Sequence, residues 1–171
     1  MRLQSYDYRT PGLYHVVICT QHHESRFGGV SDSTLFLNEI GEMVIDVWSG
    51  IPRHYEDVAL DAMVVMPNHV HGIVWIDPEA TERAPALGDV VKWFKSITTS
   101  RYSDGVHRLG WAPYDGRLWQ RNYYDHIVRD ERDLERIRLY IEHNPATWED
   151  DDLHPTLGRL GSPQAKGSTR G

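Results

Sequence analysis

Two apolar runs with almost nothing between them constrain this chain most. Val58 to Met66 (VALDAMVVM) and His69 to Ile76 (HVHGIVWI) are rich in β-branched residues, and Pro67 and Asn68 are all that separates them. Runs of this length and composition read as strands. So short a connection leaves no room for a crossover, so the two strands pair antiparallel as a hairpin.

The remaining elements arrange themselves around that hairpin. Leu13 to Thr20 (LYHVVICT) reads as a buried strand, and the polar, glycine-containing Gln21 to Gly29 as a loop. Ser31, Asp32 and Ser33 offer N-caps to a helix carrying Leu35, Leu37, Ile40, Met43, Val44, Val47 and Trp48, ended by Gly50 and Pro52. Asp77 to Pro85 is a loop. Gly88 or Asp89 then opens a second helix with Val90, Val91, Phe94 and Ile97 inward, and Ser103 to Gly116 reads as irregular. Arg117 to Arg129 (RLWQRNYYDHIVR) predicts a fourth strand. Asp130 to Leu134 starts a third helix carrying Ile137, Tyr140 and Ile141, which Pro145 stops.

The order β-α-β-β-α-β plus one helix predicts an α+β fold, a ferredoxin-like split β-α-β antiparallel sheet. Two helices cover one face and leave the other partly open. Residues 1–148 form the domain, and residues 149–171 an acidic, then Gly/Ser/Pro-rich tail, disordered from about Gly161. Trp75 and Trp93 are assigned to the core, and Asp57 and Asp61 to solvated strand edges.

Composition narrows the classes. Cys19 is the one cysteine of 171 residues, which excludes an internal disulfide framework and a cysteine zinc module. No run approaches the length of a membrane span, and Met1 to Thr10 has no apolar signal core, so a cytoplasmic protein without a membrane partner is expected. The net charge is −7, unevenly spread. Residues 1–82 hold four basic and twelve acidic side chains, residues 83–138 eleven and eight, and residues 139–171 three and five. The middle third is therefore the place for a polyanion face. There Lys92, Lys95 and Arg101 share a helix, and Arg117, Arg121 and Arg129 flank the aromatic run with Tyr123 and Tyr124. Cations of this kind track phosphates, and exposed rings stack on unpaired bases.

The chemistry-bearing pattern is His69-Val70-His71. On a strand both imidazoles project from one face, where two neutral rings can ligate one divalent ion, or simply lie on a solvated face. Tyr140 and Asn144 are one helical turn apart. A tyrosine beside a cation is a plausible nucleophile, and an asparagine amide oxygen can reach the same ion. Core packing of Tyr140 with Ile137 and Ile141 is the plainer alternative. His126 is a further candidate, as ligand, phosphate contact or satisfied edge histidine. His22 and His23 have no evident partner.

Four segments in this order, MPNHVHGIVW, LGDVVKWFKS, LWQRNYYDHIVRDERDL and YIEHNPATW, resemble the single-tyrosine HUH transposases, and more closely the REP-associated tyrosine transposases, over about residues 6–148. The resemblance implies cutting and rejoining of single-stranded or hairpin DNA through a 5′-phosphotyrosine. It implies Mg²⁺ or Mn²⁺ on His69 and His71, with Tyr140 as nucleophile rather than Tyr123 or Tyr124. Asn144 stands where insertion-sequence relatives carry a glutamine ligand. The resemblance also implies a bacterial protein, nucleoid-associated when bound to DNA, and either a monomer or a homodimer. The alternative is a domesticated, non-catalytic hairpin-binding protein of the same fold.

Overall fold

The computed structural model describes residues 12–77, 79 and 84–155. The expectations for Met1 to Thr10 and for a disordered stretch from Gly161 lie outside the described residues.

The elements in chain order are β1 (Gly12–Cys19), a 3-10 turn (Gln21–His23), β2 (Gly28–Ser31), β3 (Thr34–Leu37), α1 (Glu39–Ser49), α2 (Ile51–His54), β4 (Val58–Met66), β5 (His69–Ile76), α3 (Leu87–Leu109), β6 (Tyr124–Ile127), α4 (Glu131–His143) and a 3-10 segment (Asn144–Asp150). The main sheet has the order β4-β5-β1-β6, with every neighbouring pair antiparallel. This is the ferredoxin-like arrangement read from the sequence. The β4–β5 hairpin closes with Met66 opposite His69.

Strand alternation gives the sheet two different faces. Tyr14, Val16 and Ile18 of β1 and Val70, Val74 and Ile76 of β5 form one buried cluster with Val44, Val47 and Trp48 of α1 and Val90, Val91 and Phe94 of α3. Gly72 belongs to this face, where a Cβ would run into the Trp48 indole. The bare Cα lets α1 press its largest side chain against the back of β5. The opposite face carries His69, His71 and Ile73. There Ile73 packs on Ile137 and Ile141 of α4, flanked by Leu13, Ala62, Val64, Val128 and Leu134.

The start of α4 is fixed by Asp130, whose carboxylate accepts the Asp133 amide at 2.8 Å. Its middle is clamped to β4: Arg138 donates from Nε and Nη2 to both Asp61 oxygens, at 2.8 and 2.7 Å. Asp61 is therefore an ion-pair partner rather than a solvated edge residue. Among the described residues no helix is long and apolar enough to cross a membrane.

Several boundaries differ from the sequence reading. No helix begins near Ser33. Asp32 (φ 47°) and Ser33 (φ 60°) form the tight turn of a β2–β3 ribbon, with Ser31 opposite Thr34. Helix α1 starts at Glu39, capped by Asn38, whose side chain accepts the Gly41 amide at 2.9 Å. Leu35 and Leu37 alternate, as a strand requires, before the helical spacing begins at Ile40. Pro52 does not end the helical region but sits in α2, after the Gly50 cap.

Helix α3 continues through Ser103 to Leu109. Gly105 is buried within it against the Trp111 ring, and the helix stops at left-handed Gly110 (φ 72°). The expected strand from Arg117 to Arg129 shrinks to Tyr124–Ile127, with Trp119 making an isolated bridge to Thr20. Trp75 is 39% exposed and not in the core, because it falls on the half-covered face; Trp93 does pack against the main core.

Candidate metal and tyrosine site

His69 and His71 project side by side from β5 and are both buried. The Nδ1 atom of each is occupied. His69 Nδ1 is 2.7 Å from Asn68 Oδ1, and His71 Nδ1 is 3.1 Å from His15 Nε2. The two Nε2 atoms are buried without a hydrogen-bond partner among the described residues, and so is Asn144 Oδ1. The ligand atoms of His69, His71 and Asp151 all lie within 4.8 Å of one another. Asp151 Oδ2 is 3.9 Å from His69 Nε2 and 3.5 Å from Asn144 Nδ2.

A buried polar atom without a partner is costly. Three of them converging beside a carboxylate is the donor set of a divalent cation: two imidazole lone pairs, an amide oxygen and an acidic oxygen. Burial keeps the imidazoles unprotonated. It lowers His69 to about 4, against the opposing pull of Asp151 and Asn144, and it takes His71 well below the ordinary histidine value, helped by His69 and His15. The residues present therefore fit a divalent ion.

The segment after α4 is tied down at Asn68. That fully buried side chain donates to Leu153 O at 2.7 Å and His23 O at 3.0 Å while its own oxygen holds His69. Trp148 lies against His69, with ring centroids 5.9 Å apart. These contacts bring Asp151 back to the histidines.

Tyr140 projects from α4 and is 50% exposed. Its ring stands 5.3 Å from that of His71 at 89°, and 6.4 Å from that of His15. Burial raises the phenol above its ordinary value; Asp151 and Asp152 add to this and Asn144 opposes it. The hydroxyl therefore keeps its proton at neutral pH. A pocket of about 370 Å³ is lined by His71, Tyr124, Tyr140, Asn144 and the acidic trio Asp150, Asp151 and Asp152.

The structure divides the other predicted residues. His126 is held by Asp133 of α4 (Nε2 to Oδ2, 2.7 Å) and lies opposite His15 in the β1–β6 pair, so that β1 stands between it and His71. Lys95, Arg117 and Arg121 line a second pocket of about 380 Å³. There Lys95 Nζ donates to the carbonyls of Gln120, Arg121 and Asn122, and its ammonium lies 5.8 Å from the Tyr123 ring centre. Tyr124 is 57% exposed, and Arg129 is exposed just after β6. Lys92 and Arg101 belong to α3, on the far side of the sheet from the histidines, and Arg101 is ion-paired with Asp46 of α1. His23 contributes its backbone carbonyl to Asn68, and its ring contacts Gln120.

Three residues were missed from the sequence: Asn68, His15 and Asp151. Asn68 reads as a turn residue and Asp151 as part of an acidic tail. The one usable signal was for His15, which alternates with the core positions Tyr14 and Val16 and so shares a face with any neighbouring histidine pair.

Fold and site together define an antiparallel ferredoxin-like sheet that sets a His-hydrophobic-His pair beneath a tyrosine-bearing helix. The family model described as IS200-like transposase matches residues 10–144, and the chain belongs to that family. An uncharacterized protein of Haemophilus influenzae is 33% identical over 174 residues, covering 90% of this chain and 91% of its own. Among solved structures, a REP-associated tyrosine transposase bound to a REP hairpin superposes with a TM-score of 0.60 at 17% identity, covering 98% of this chain and 93% of that one.

Proposed function

We propose that this protein cuts and rejoins single-stranded DNA at hairpin-forming sequences, with Tyr140 as the nucleophile. One observation carries the reading: two imidazole nitrogens and an amide oxygen are buried without hydrogen-bond partners among the described residues, beside a phenol that is half exposed to an open pocket. A packing tyrosine has no need of such neighbours.

A divalent ion such as Mg²⁺ or Mn²⁺, held by His69, His71, Asn144 and Asp151, would offset the charge on a phosphate oxygen. The chain's own residues do the rest. Helix α4 and Ile73 fix where the phenol stands relative to the histidines, which is placement rather than chemistry. The Tyr140 oxygen attacks phosphorus and the bond from phosphorus to the 3′ oxygen breaks. The phenol proton ends on the leaving 3′ oxygen, so a 5′-phosphotyrosine and a free 3′-hydroxyl result. Attack by another 3′-hydroxyl reverses each bond change, rejoins the strand and restores the phenol. The acidic trio leaves the pocket short of positive charge until the cation site is filled.

For DNA contact, Tyr124 at the pocket rim suits an unpaired base. Arg117, Arg121 and Arg129 have no ion-pair partner among the described residues and suit phosphates, and Lys95 holds the backbone around Arg121 through the Gln120, Arg121 and Asn122 carbonyls. Lys92 and Arg101 lie on the other helical layer and serve a wrapped flank at most. The hairpin bound by the REP-associated relative supports a hairpin substrate.

The test is a hairpin oligonucleotide with a single-stranded flank, incubated with Mn²⁺ and run on a denaturing gel. The wild type gives a protein–DNA adduct and Tyr140→Phe gives none, while Tyr124→Phe still does. An adduct in Tyr140→Phe moves the nucleophile elsewhere. Hairpin binding with no adduct in the wild type makes the protein a non-catalytic binder.

A further inference from the structure

We infer that His15 is a positioning residue for the cation site, fixing both the ring orientation and the tautomer of His71. The inference rests on the reading above that His71 helps hold the cation, through Nε2.

The register of β1 and β5 sets Val17 opposite His71 and His15 opposite Ile73. His15 and His71 are therefore diagonal neighbours on one face, within reach of long or aromatic side chains. Their rings are nearly parallel, 21° apart with centroids at 5.3 Å, and His15 Nε2 meets His71 Nδ1 at 3.1 Å.

One of those two nitrogens must carry the proton. If His15 donated, His71 would hold its own proton on Nε2, leaving a buried N–H with no partner among the described residues. A buried donor left unpaired carries its full desolvation cost. If His71 donates from Nδ1, its Nε2 keeps a lone pair, on the buried atom that has no hydrogen-bond partner among the described residues. Only the second arrangement suits a cation, and it needs His15 to accept.

Asn68 does the equivalent work for His69, by a side-chain oxygen at 2.7 Å. The two imidazoles are thus aimed by two different partners, one from the hairpin turn and one from the neighbouring strand. His15 also lies beside Tyr140, at 6.4 Å between ring centres, so losing it loosens both groups.

The experiment uses the full chain labelled with ¹⁵N-histidine. Long-range ¹H–¹⁵N correlation without metal reads the His71 tautomer, and Mn²⁺ titration followed by electron paramagnetic resonance reads affinity. In the wild type His71 is expected as the Nδ1–H form. In His15→Leu that form gives way to a mixture, and Mn²⁺ affinity falls roughly 10–100-fold, the range for lost partners of metal-bound histidines. His15→Gln, whose amide oxygen reaches the same place, keeps the tautomer and most of the affinity. His15→Asn, which is too short, behaves like Leu and serves if the Leu variant does not fold.

An unchanged His71 tautomer and unchanged Mn²⁺ affinity in folded His15→Leu or His15→Asn overturns the inference. A wild type that binds no Mn²⁺, yet whose His71 tautomer depends on residue 15, overturns the cation reading and leaves the positioning role standing.

Discussion

Tyr140 stands edge-on to His71, their ring centroids 5.3 Å apart at 89°, although one side chain comes from a helix and the other from the central sheet. What sets that spacing is ordinary packing. Ile137 and Ile141 bracket Tyr140 on α4 and both bury against Ile73, two residues along β5 from His71. A slip of α4 by one turn would move the phenol about 5.4 Å, enough to separate it from both imidazoles.

The clamp between Arg138 and Asp61 guards against that slip. Both side chains are partly solvated, so the pair itself contributes little to stability even with bidentate geometry. Arg138→Ala is expected to lower the urea midpoint only slightly, and less so in 1 M NaCl. DNA cleavage should fall by roughly tenfold, since small displacements of reacting groups are costly. Hairpin binding should change little. Cleavage and stability at wild-type levels would show that the packing of Ile137 and Ile141 suffices alone.

Filling the cation site should stabilise the fold. Mn²⁺ at a hundred times its dissociation constant adds about 2.7 kcal/mol by mass action, which differential scanning calorimetry reads as a higher Tm. His69→Ala and His71→Ala should abolish the increase. Asp151→Asn should weaken Mn²⁺ binding at least tenfold, because a carboxylate becomes a neutral amide. An unaltered Mn²⁺ response in Asp151→Asn would remove that residue from the donor set.

Acid should destabilise the metal-free protein before ordinary carboxylates titrate. His15 is lowered to about 4, first by burial and then by His126 and Arg136; His69 is also near 4, and His71 lies well below its usual value. Between pH 6.5 and 4 the unfolded chain binds protons at these histidines that the native state refuses, so stability falls as pH drops through that window. At full effect each of His15 and His69 contributes on the order of 3 kcal/mol. Urea midpoints at pH 7.0, 5.5 and 4.5 should descend, and His15→Gln should flatten the slope. A flat wild-type profile would mean that the rings are wetter than their burial indicates.

The β4–β5 hairpin, the start of α4 at Asp130 and the same-face histidines were all legible, because each is written in neighbouring residues. The β2–β3 ribbon was not. Its alternating Leu35 and Leu37 run straight into the helical spacing of Ile40, Val44 and Val47, and the change of period at Asn38 is a single residue wide. Gly105 falls in the stretch that reads as irregular, but it is the one residue type that fits against Trp111. For the site, Tyr140 and Asn144 were readable as one helical turn. Asp151 was not, since its approach depends on Asn68 capturing Leu153 from across 85 positions of sequence.

Gly72 tests the support behind the histidine strand. Any side chain there meets the Trp48 indole, so Gly72→Ala forces either β5 or α1 to move. Overpacking of this kind costs about 1–3 kcal/mol, measurable by thermal unfolding. Trp48→Phe in the same chain should return part of the loss. A neutral Gly72→Ala would mean that the indole can tilt away freely.

Asp150, Asp151 and Asp152 at the mouth of the pocket carry a thermodynamic corollary. Negative groups that welcome a cation repel a nucleic acid, so the two guests cannot bind independently. Whatever factor the ion adds to the affinity for a phosphodiester, the phosphodiester must return to the ion, because the coupling free energy is one quantity seen from either side. Ion-free protein should thus be poor at holding a strand in this pocket, and DNA-free protein should hold its ion loosely.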